Sequence, residues 1–233
     1  MLKSWYLKEE EKQILITANA NAEIQLLKAQ IHPHFLFNTL NNIYSFTLDK
    51  SPVAGDMVLQ LSDMMRYMIN DCDTPFVPLS KELKMMSDYI ALEKVRYGNR
   101  LDLQIAITGE TANKQITPLL MIPFLENCFK HGTSKMLRDA WIKVFIQADE
   151  NVLHFTLANS KPADEFVNGK GGIGLNNVKK RLGLIYGADH LLTIESSINT
   201  FTVNMQIPLR AKGQYSARKE IIFEEYNKFE NES

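Results

Sequence analysis

Apolar residues recur along this chain at two spacings, and the change falls close to residue 97. Before it they stand three and four apart, the period of a helix. Ile24, Leu27 and Ile31 draw a narrow seam through a stretch rich in Glu, Lys, Gln and Ala, as in a coiled-coil or bundle helix. Asp49-Lys50-Ser51-Pro52 predicts a break, after which Met57, Leu61, Met64, Met65 and Met68 share one side of a second helix. The two helices predict an antiparallel hairpin, with the methionine stripe as core. Thr74-Pro75 and Pro78 interrupt the pattern, and Ser80-Lys81-Glu82-Leu83 predicts the cap of a third helix running to about Arg96.

Beyond residue 97 the period shortens. Leu101, Leu103, Ile105 and Ile107 alternate with polar residues and predict a strand. Thr117 as N-cap and Pro118 in a first turn predict a helix whose buried part is Leu119 to Leu125. Strands are expected at about 141–148 and 152–158, a helix at about 175–186, and two strands near 191–196 and 201–208. Helices laid on one face of a mainly antiparallel sheet make an α+β sandwich. The expected division is 1–96 for the leading coiled coil and helical hairpin, 97–210 for the sandwich and 211–233 for a charged tail.

The composition of these 233 residues, 45% hydrophobic and 23% charged, is that of an ordinary globular protein. A net charge of −1 argues against a nucleic-acid surface. Cys72 and Cys128 form no redox-type or metal-type pair, which suits a reducing compartment. The central apolar run, Leu119 to Leu125, is far short of the ~20 residues a spanning helix needs. Lysines mixed with Trp5 and Tyr6 near the start are the kind found just inside a membrane. The expected setting is therefore a cytoplasmic region with a membrane anchor upstream.

Three segments carry candidate chemistry. In the first, Gln30 to Asn42, His34 follows Pro33 within a helical pattern. A near-neutral imidazole is a competent nucleophile at pH 7, and Asn38, four residues on, shares its face. In the second, Pro123 to Gly132, Glu126 with Lys130 and Asn127 with His131 predict a polar wall on one helix. Its oxygen donors suit Mg²⁺ and its lysine suits phosphate. In the third, Gly169 to Val178, Gly172 and Gly174 open a helix at Leu175. Glycines let backbone amides approach phosphate closely, and a helix N-terminus favours an anion.

Read together, Pro33-His34-Phe35-Leu36-Phe37-Asn38, Arg66-Tyr67, Tyr89-Ile90-Ala91-Leu92-Glu93 with Arg96, and the two later segments resemble the LytS-type sensor histidine kinases from Leu27 to Leu209. The sandwich resembles the GHKL-type ATP-binding fold. The resemblance implies an ATP- and Mg²⁺-dependent protein-histidine kinase of a two-component system in a bacterial inner-membrane protein. It implies a homodimer that phosphorylates His34, rather than His32, and passes the phosphoryl group to the receiver domain of a response regulator. By position Asn127 is the Mg²⁺ ligand, Lys130, His131, Gly172, Gly174 and Leu175 lie near the phosphates, and Glu126 polarises the attacking group or a water. The match departs in two places. Phe35 stands where many histidine kinases carry an acidic residue, and Asn159 stands where the family has an adenine-binding aspartate, ahead of a short polar lid from Lys161 to Lys170. Those departures keep open a nucleotide-independent dimeric scaffold and, as a further reading, a GHKL ATPase.

Overall fold

A computed structural model describes residues 33–48, 53–72, 74–132, 139–162 and 173–211, with backbone alone at 33–38, 41, 48, 99, 131 and 173. The predicted coiled-coil seam, the break at 49–52, the bulk of the lid and the charged tail lie outside the described residues.

Helix α1 (Pro33–Leu48) carries the His34 segment, and α2 (Val53–Asn70) the methionine stripe. Met57, Leu61 and Met64 are buried and Met68 packs against the same core, but Met65 is 37% exposed. Each helical residue turns about 100° from the last, so Met65 falls past the edge of the stripe that Met64 occupies.

Helix α3 (Leu79–Tyr97) follows a two-residue strand β1 (Val77–Pro78). Its start differs from expectation. Pro78 holds the N-cap position without a side-chain hydrogen bond, and Ser80 is exposed. Glu82 turns into the core instead of back to the helix start, and is 1% exposed. Leu79, Glu82, Leu83, Met86 and Ile90 form one buried stripe, with Tyr89, Leu92 and Glu93 buried beside it. A helix buried over so much of its circumference has neighbours on both sides, and α2 lies on one of them.

The main sheet runs β2-β4-β5-β7-β6, built from Leu101–Gly109, Ala140–Ala148, Val152–Ser160, Thr200–Pro208 and Leu191–Ser196. β2 and β4 are parallel, with Leu101 opposite Ala140, and the remaining pairs are antiparallel. The fold is thus α+β, as the change of period implied. Ile142, Val144, Ile146, Leu153, Phe155, Leu157, Val203 and Met205 form the buried face. β2 is an edge strand, so Ile105 and Ile107 stay 41% exposed although they follow the predicted alternation. Gly109 closes β2 at φ 85°, where a Cβ would run into the Ala148 carbonyl oxygen. A small second sheet joins β1, β3 (Lys114–Ile116) and β8 (Arg210–Ala211), pairing Val77 with Ile116 and Gln115 with Arg210. One continuous core extends from Ile43 on α1 to Leu209.

Parallel strands need a long crossover, and the one from β2 to β4 carries the second chemical segment. Helix α4 is short, Ile122–Asn127, with Met121 as N-cap and Pro123 in its first turn. Thr117 therefore does not cap it. Leu119 adopts φ 56°, outside the helical region, while buried side chains take the backbone groups of Thr117 to Leu120. Leu119 to Met121 are buried as predicted, but as a turn.

Candidate nucleotide and phosphoacceptor site

The helix expected through His131 changes its winding. After Asn127 the chain forms a π-type turn, Cys128–Gly132. Such turns are rare and cluster at functional sites. Phe124, Leu125, Cys128 and Phe129 point inward, each no more than 1% exposed. Glu126 and Asn127 are half-buried and Lys130 is exposed. The structure thus brings the predicted carboxylate, amide and ammonium to the open side of one turn. Of His131 only the backbone is described, within that turn.

Helix α3 holds the turn from behind. The Tyr97 hydroxyl donates to the Phe129 carbonyl oxygen at 3.0 Å and accepts from Arg96 Nη2 at 2.5 Å. The Phe129 ring packs 6.0 Å from the Tyr89 ring and 5.8 Å from the Tyr97 ring. Arg96 Nη2 also lies 3.0 Å from Glu93 Oε2, an ion-pair contact that lacks hydrogen-bond alignment. Burial and then the neighbouring Glu93 carboxylate push Glu126 up to about 8, with Lys130 opposing. Burial raises Glu93 as well, against the pull of Arg96. Glu126 is thus largely protonated at neutral pH, poised where a group can both take and give a proton. No role was assigned to Glu93, Arg96 or Tyr97 from the sequence. Their spacing of three and four on one helix was the available signal.

Asn159 is at the inward end of β5, opposite Phe201, and is 1% exposed. Its Oδ1 accepts from Cys128 Sγ at 3.0 Å, and its Nδ2 donates to the Ser160 carbonyl at 2.8 Å. Burial raises the Cys128 thiol, so it stays a neutral donor. The structure therefore joins Asn159 to the residue following Asn127. The partner at Cys128 was not foreseen, because nothing in the sequence relates two positions 31 residues apart.

Helix α5 (Ile173–Tyr186) starts about half a turn earlier than its predicted position. Gly174 lies in its first turn, exposed, with open space where a Cβ would stand. Leu175 is buried with Val178 and Leu182, so its side chain serves the core and only its backbone can face a ligand. Gly172 lies outside the described residues. His34 and Asn38 both fall on α1, and of their side chains nothing is described.

The oxygen of Asn127 and the Lys130 ammonium fit a divalent cation and phosphate, with the Glu126 carboxyl beside them. Hard cations take oxygen ligands, and lysine acts as a point charge for phosphate.

Residues 22–101 match the family model described as histidine kinase. The sensor histidine kinase BtsS of Escherichia coli (strain K12) is 30% identical over 202 residues, covering 86% of this chain and 35% of that protein. The sensor protein LytS of Staphylococcus epidermidis is 30% identical over 217 residues, covering 88% of this chain and 36% of its own length. Among solved structures, the histidine kinase domain of the Erythrobacter litoralis EL346 blue-light activated histidine kinase aligns with a TM-score of 0.46 and 14% identity, over 82% of this chain and 95% of that one. The chain spans about a third of the length of the curated relatives it matches.

Proposed function

The chain belongs to the histidine kinases of the LytS and BtsS type, and on that premise we propose that it is the kinase region of a two-component sensor. ATP is the phosphoryl donor, bound between the Asn127 turn and the start of α5. A His34 imidazole nitrogen forms a bond to the γ-phosphorus as the bond to the bridging oxygen breaks, releasing ADP. The phosphoryl group then passes to an aspartate of a response-regulator receiver domain. Catalysis of this kind rests on positioning and charge neutralisation.

Asn127 would hold Mg²⁺, which supplies charge neutralisation when bound. Lys130 and His131 would serve the phosphates, Gly172, Gly174 and the Leu175 amide would bind them from the other side, and Glu126 would polarise the attacking group. Asn38 lies one turn from His34 on α1. The observation that carries this reading is the convergence of Glu126, Asn127 and Lys130 on the open side of a turn whose other side is sealed.

The same reading makes the protein a homodimer. On α2, Val58, Met65 and Ile69 form an exposed apolar line beside the buried stripe, and on α1 Leu40 and Tyr44 are exposed one turn apart. Exposed apolar rows on a hairpin suit a second hairpin, which would complete a four-helix bundle. The division at residues 96 and 97, and an anchor in the membrane upstream, belong to this proposal. No helix among the described residues is long and apolar enough to cross a membrane.

A second reading is a dimeric scaffold that works without nucleotide. The sealed Asn159 favours it, since the carboxamide is engaged with Cys128 and Ser160. Incubation of the full chain with γ-labelled ATP and Mg²⁺ separates the two. Acid-labile label that disappears in His34→Ala supports the kinase. Label retained in that variant refutes the assignment of His34, and absence of nucleotide binding favours the scaffold.

A further inference from the structure

Four successive residues leading to the Asn127 turn are each gripped by a buried side chain. The Tyr186 hydroxyl lies 3.3 Å from the Thr117 amide and 3.0 Å from the Thr117 hydroxyl. Arg181 Nη2 donates to the Pro118 carbonyl at 2.6 Å. Glu82 Oε2 accepts the Leu119 amide at 2.9 Å, and its Oε1 accepts the Leu120 amide at 3.1 Å. Oε2 also accepts the Tyr67 hydroxyl at 2.6 Å. Tyr67 belongs to α2, Glu82 to α3, and Arg181 and Tyr186 to α5. One carboxylate therefore touches the hairpin and the approach to the Asn127 turn, and Arg181, on the glycine-led helix, grips the same loop.

Glu82, Tyr67 and Arg181 are 1, 7 and 5% exposed, so water does not substitute for any of these partners. Burial pushes the Glu82 carboxyl above its usual range, while Tyr67, the Leu119 and Leu120 amides and Arg181 pull it back. A buried ionisable group adds little stability over a well-packed apolar one. What it does provide here is a shared acceptor. Oε2 serves a hairpin hydroxyl and a loop amide together, so displacement of one donor alters the bond to the other.

We propose that Glu82 is a positioning residue for phosphoryl transfer, holding α2 in register with the Asn127 wall through its hydrogen bond to Tyr67. This rests on the kinase reading above. It gives a task to Tyr67 and to the buried acid on α3, which that reading leaves without one.

Tyr67→Phe removes the hydroxyl alone and leaves Glu82 with both amides. The experiment uses the full chain and a non-hydrolysable ATP analogue with Mg²⁺, and follows hydrogen exchange of the α2 amides around Tyr67. In the parent, nucleotide slows that exchange. In Tyr67→Phe the slowing is lost and nucleotide affinity stays within twofold. Labelling of His34 falls about tenfold in rate at unchanged KM for ATP, one hydrogen bond's worth of a transition state. Thr117→Val removes the hydroxyl half of the neighbouring tie to Tyr186, not the link to α2, and keeps the slowing. Slowing that persists in Tyr67→Phe, or that is lost equally in Thr117→Val, overturns the proposal and leaves the kinase reading intact. A parent that binds no nucleotide overturns both.

Discussion

Replacing Asn159 by aspartate installs the residue that the family resemblance leads one to expect, and the structure predicts that it does harm. The side chain is 1% exposed. Its amide nitrogen is 2.8 Å from the Ser160 carbonyl oxygen, so an ionised aspartate would set two acceptors against each other there. Losing that hydrogen bond costs about 1 kcal/mol. Keeping the charge costs several kcal/mol, because the Cys128 thiol is the single donor left to it. A rise of roughly two units from an unfolded value of about 3.9 amounts to ~2.7 kcal/mol at pH 7. The sum is a loss of about 3–4 kcal/mol at neutral pH. A raised native pKa means that the native state binds more protons than the unfolded chain, so stability falls as pH rises between the two values. The deficit should be small near pH 4, where a protonated carboxyl can donate to Ser160, and fully developed by pH 8. Urea titrations of the full chain at both values measure it. An Asn159→Asp protein as stable as its parent at pH 8 would refute the reasoning. It would mean that water reaches position 159, and that the position is open to a nucleotide base after all.

Two further outcomes are expected. With the Glu126 carboxyl pushed up to about 8, the native state again holds the extra proton, so in metal-free buffer stability declines from pH 5 to pH 8. Glu126→Gln should flatten that decline, and equal slopes for the two proteins in urea titrations would count against the buried setting of Glu126. Val58→Glu combined with Ile69→Glu places charges on the exposed line of α2, 50% and 64% exposed in the single chain. Sedimentation should then show a monomer of near-parental thermal stability, whereas an unaltered dimer would place the interface elsewhere.

The sequence told most where one local rule acts without competition. The change of period at residue 97, the strands of the main sheet and α5 were legible because side-chain direction in a strand or helix repeats with a fixed period, whereas the two- and three-residue strands β1, β3 and β8 are too short to show one. The start of α4 was not. Thr117-Pro118 satisfies the chemistry of a helix start, but Tyr186, Arg181 and Glu82 reach the same backbone groups from two other helices. Such ties span 37 to 69 residues of sequence, and no local pattern encodes them. Glu82 is instructive for another reason. Read as part of Ser80-Lys81-Glu82-Leu83 it looks like a capping residue. Placed on the wheel with Leu79, Leu83, Met86 and Ile90 it is an acid in a core position, a misfit that marks a buried partner. For the candidate site, the pairing of Glu126 with Lys130 at the partly open end of α4 was legible as a spacing of four. Its change to a π-type turn was not, because both windings accept the same residues.

That winding bears on how this protein can be engineered. A π-type turn accommodates one residue more than the regular helix would over the same span. A single-codon deletion near Cys128 would restore the regular hydrogen-bond ladder and could raise the melting temperature. It would also swing Lys130 about 100° around the helix axis, away from Glu126. Libraries screened on heat resistance alone would enrich such deletions and hand back a sturdier, silent protein, so stabilisation campaigns on this scaffold need an activity gate from their first round.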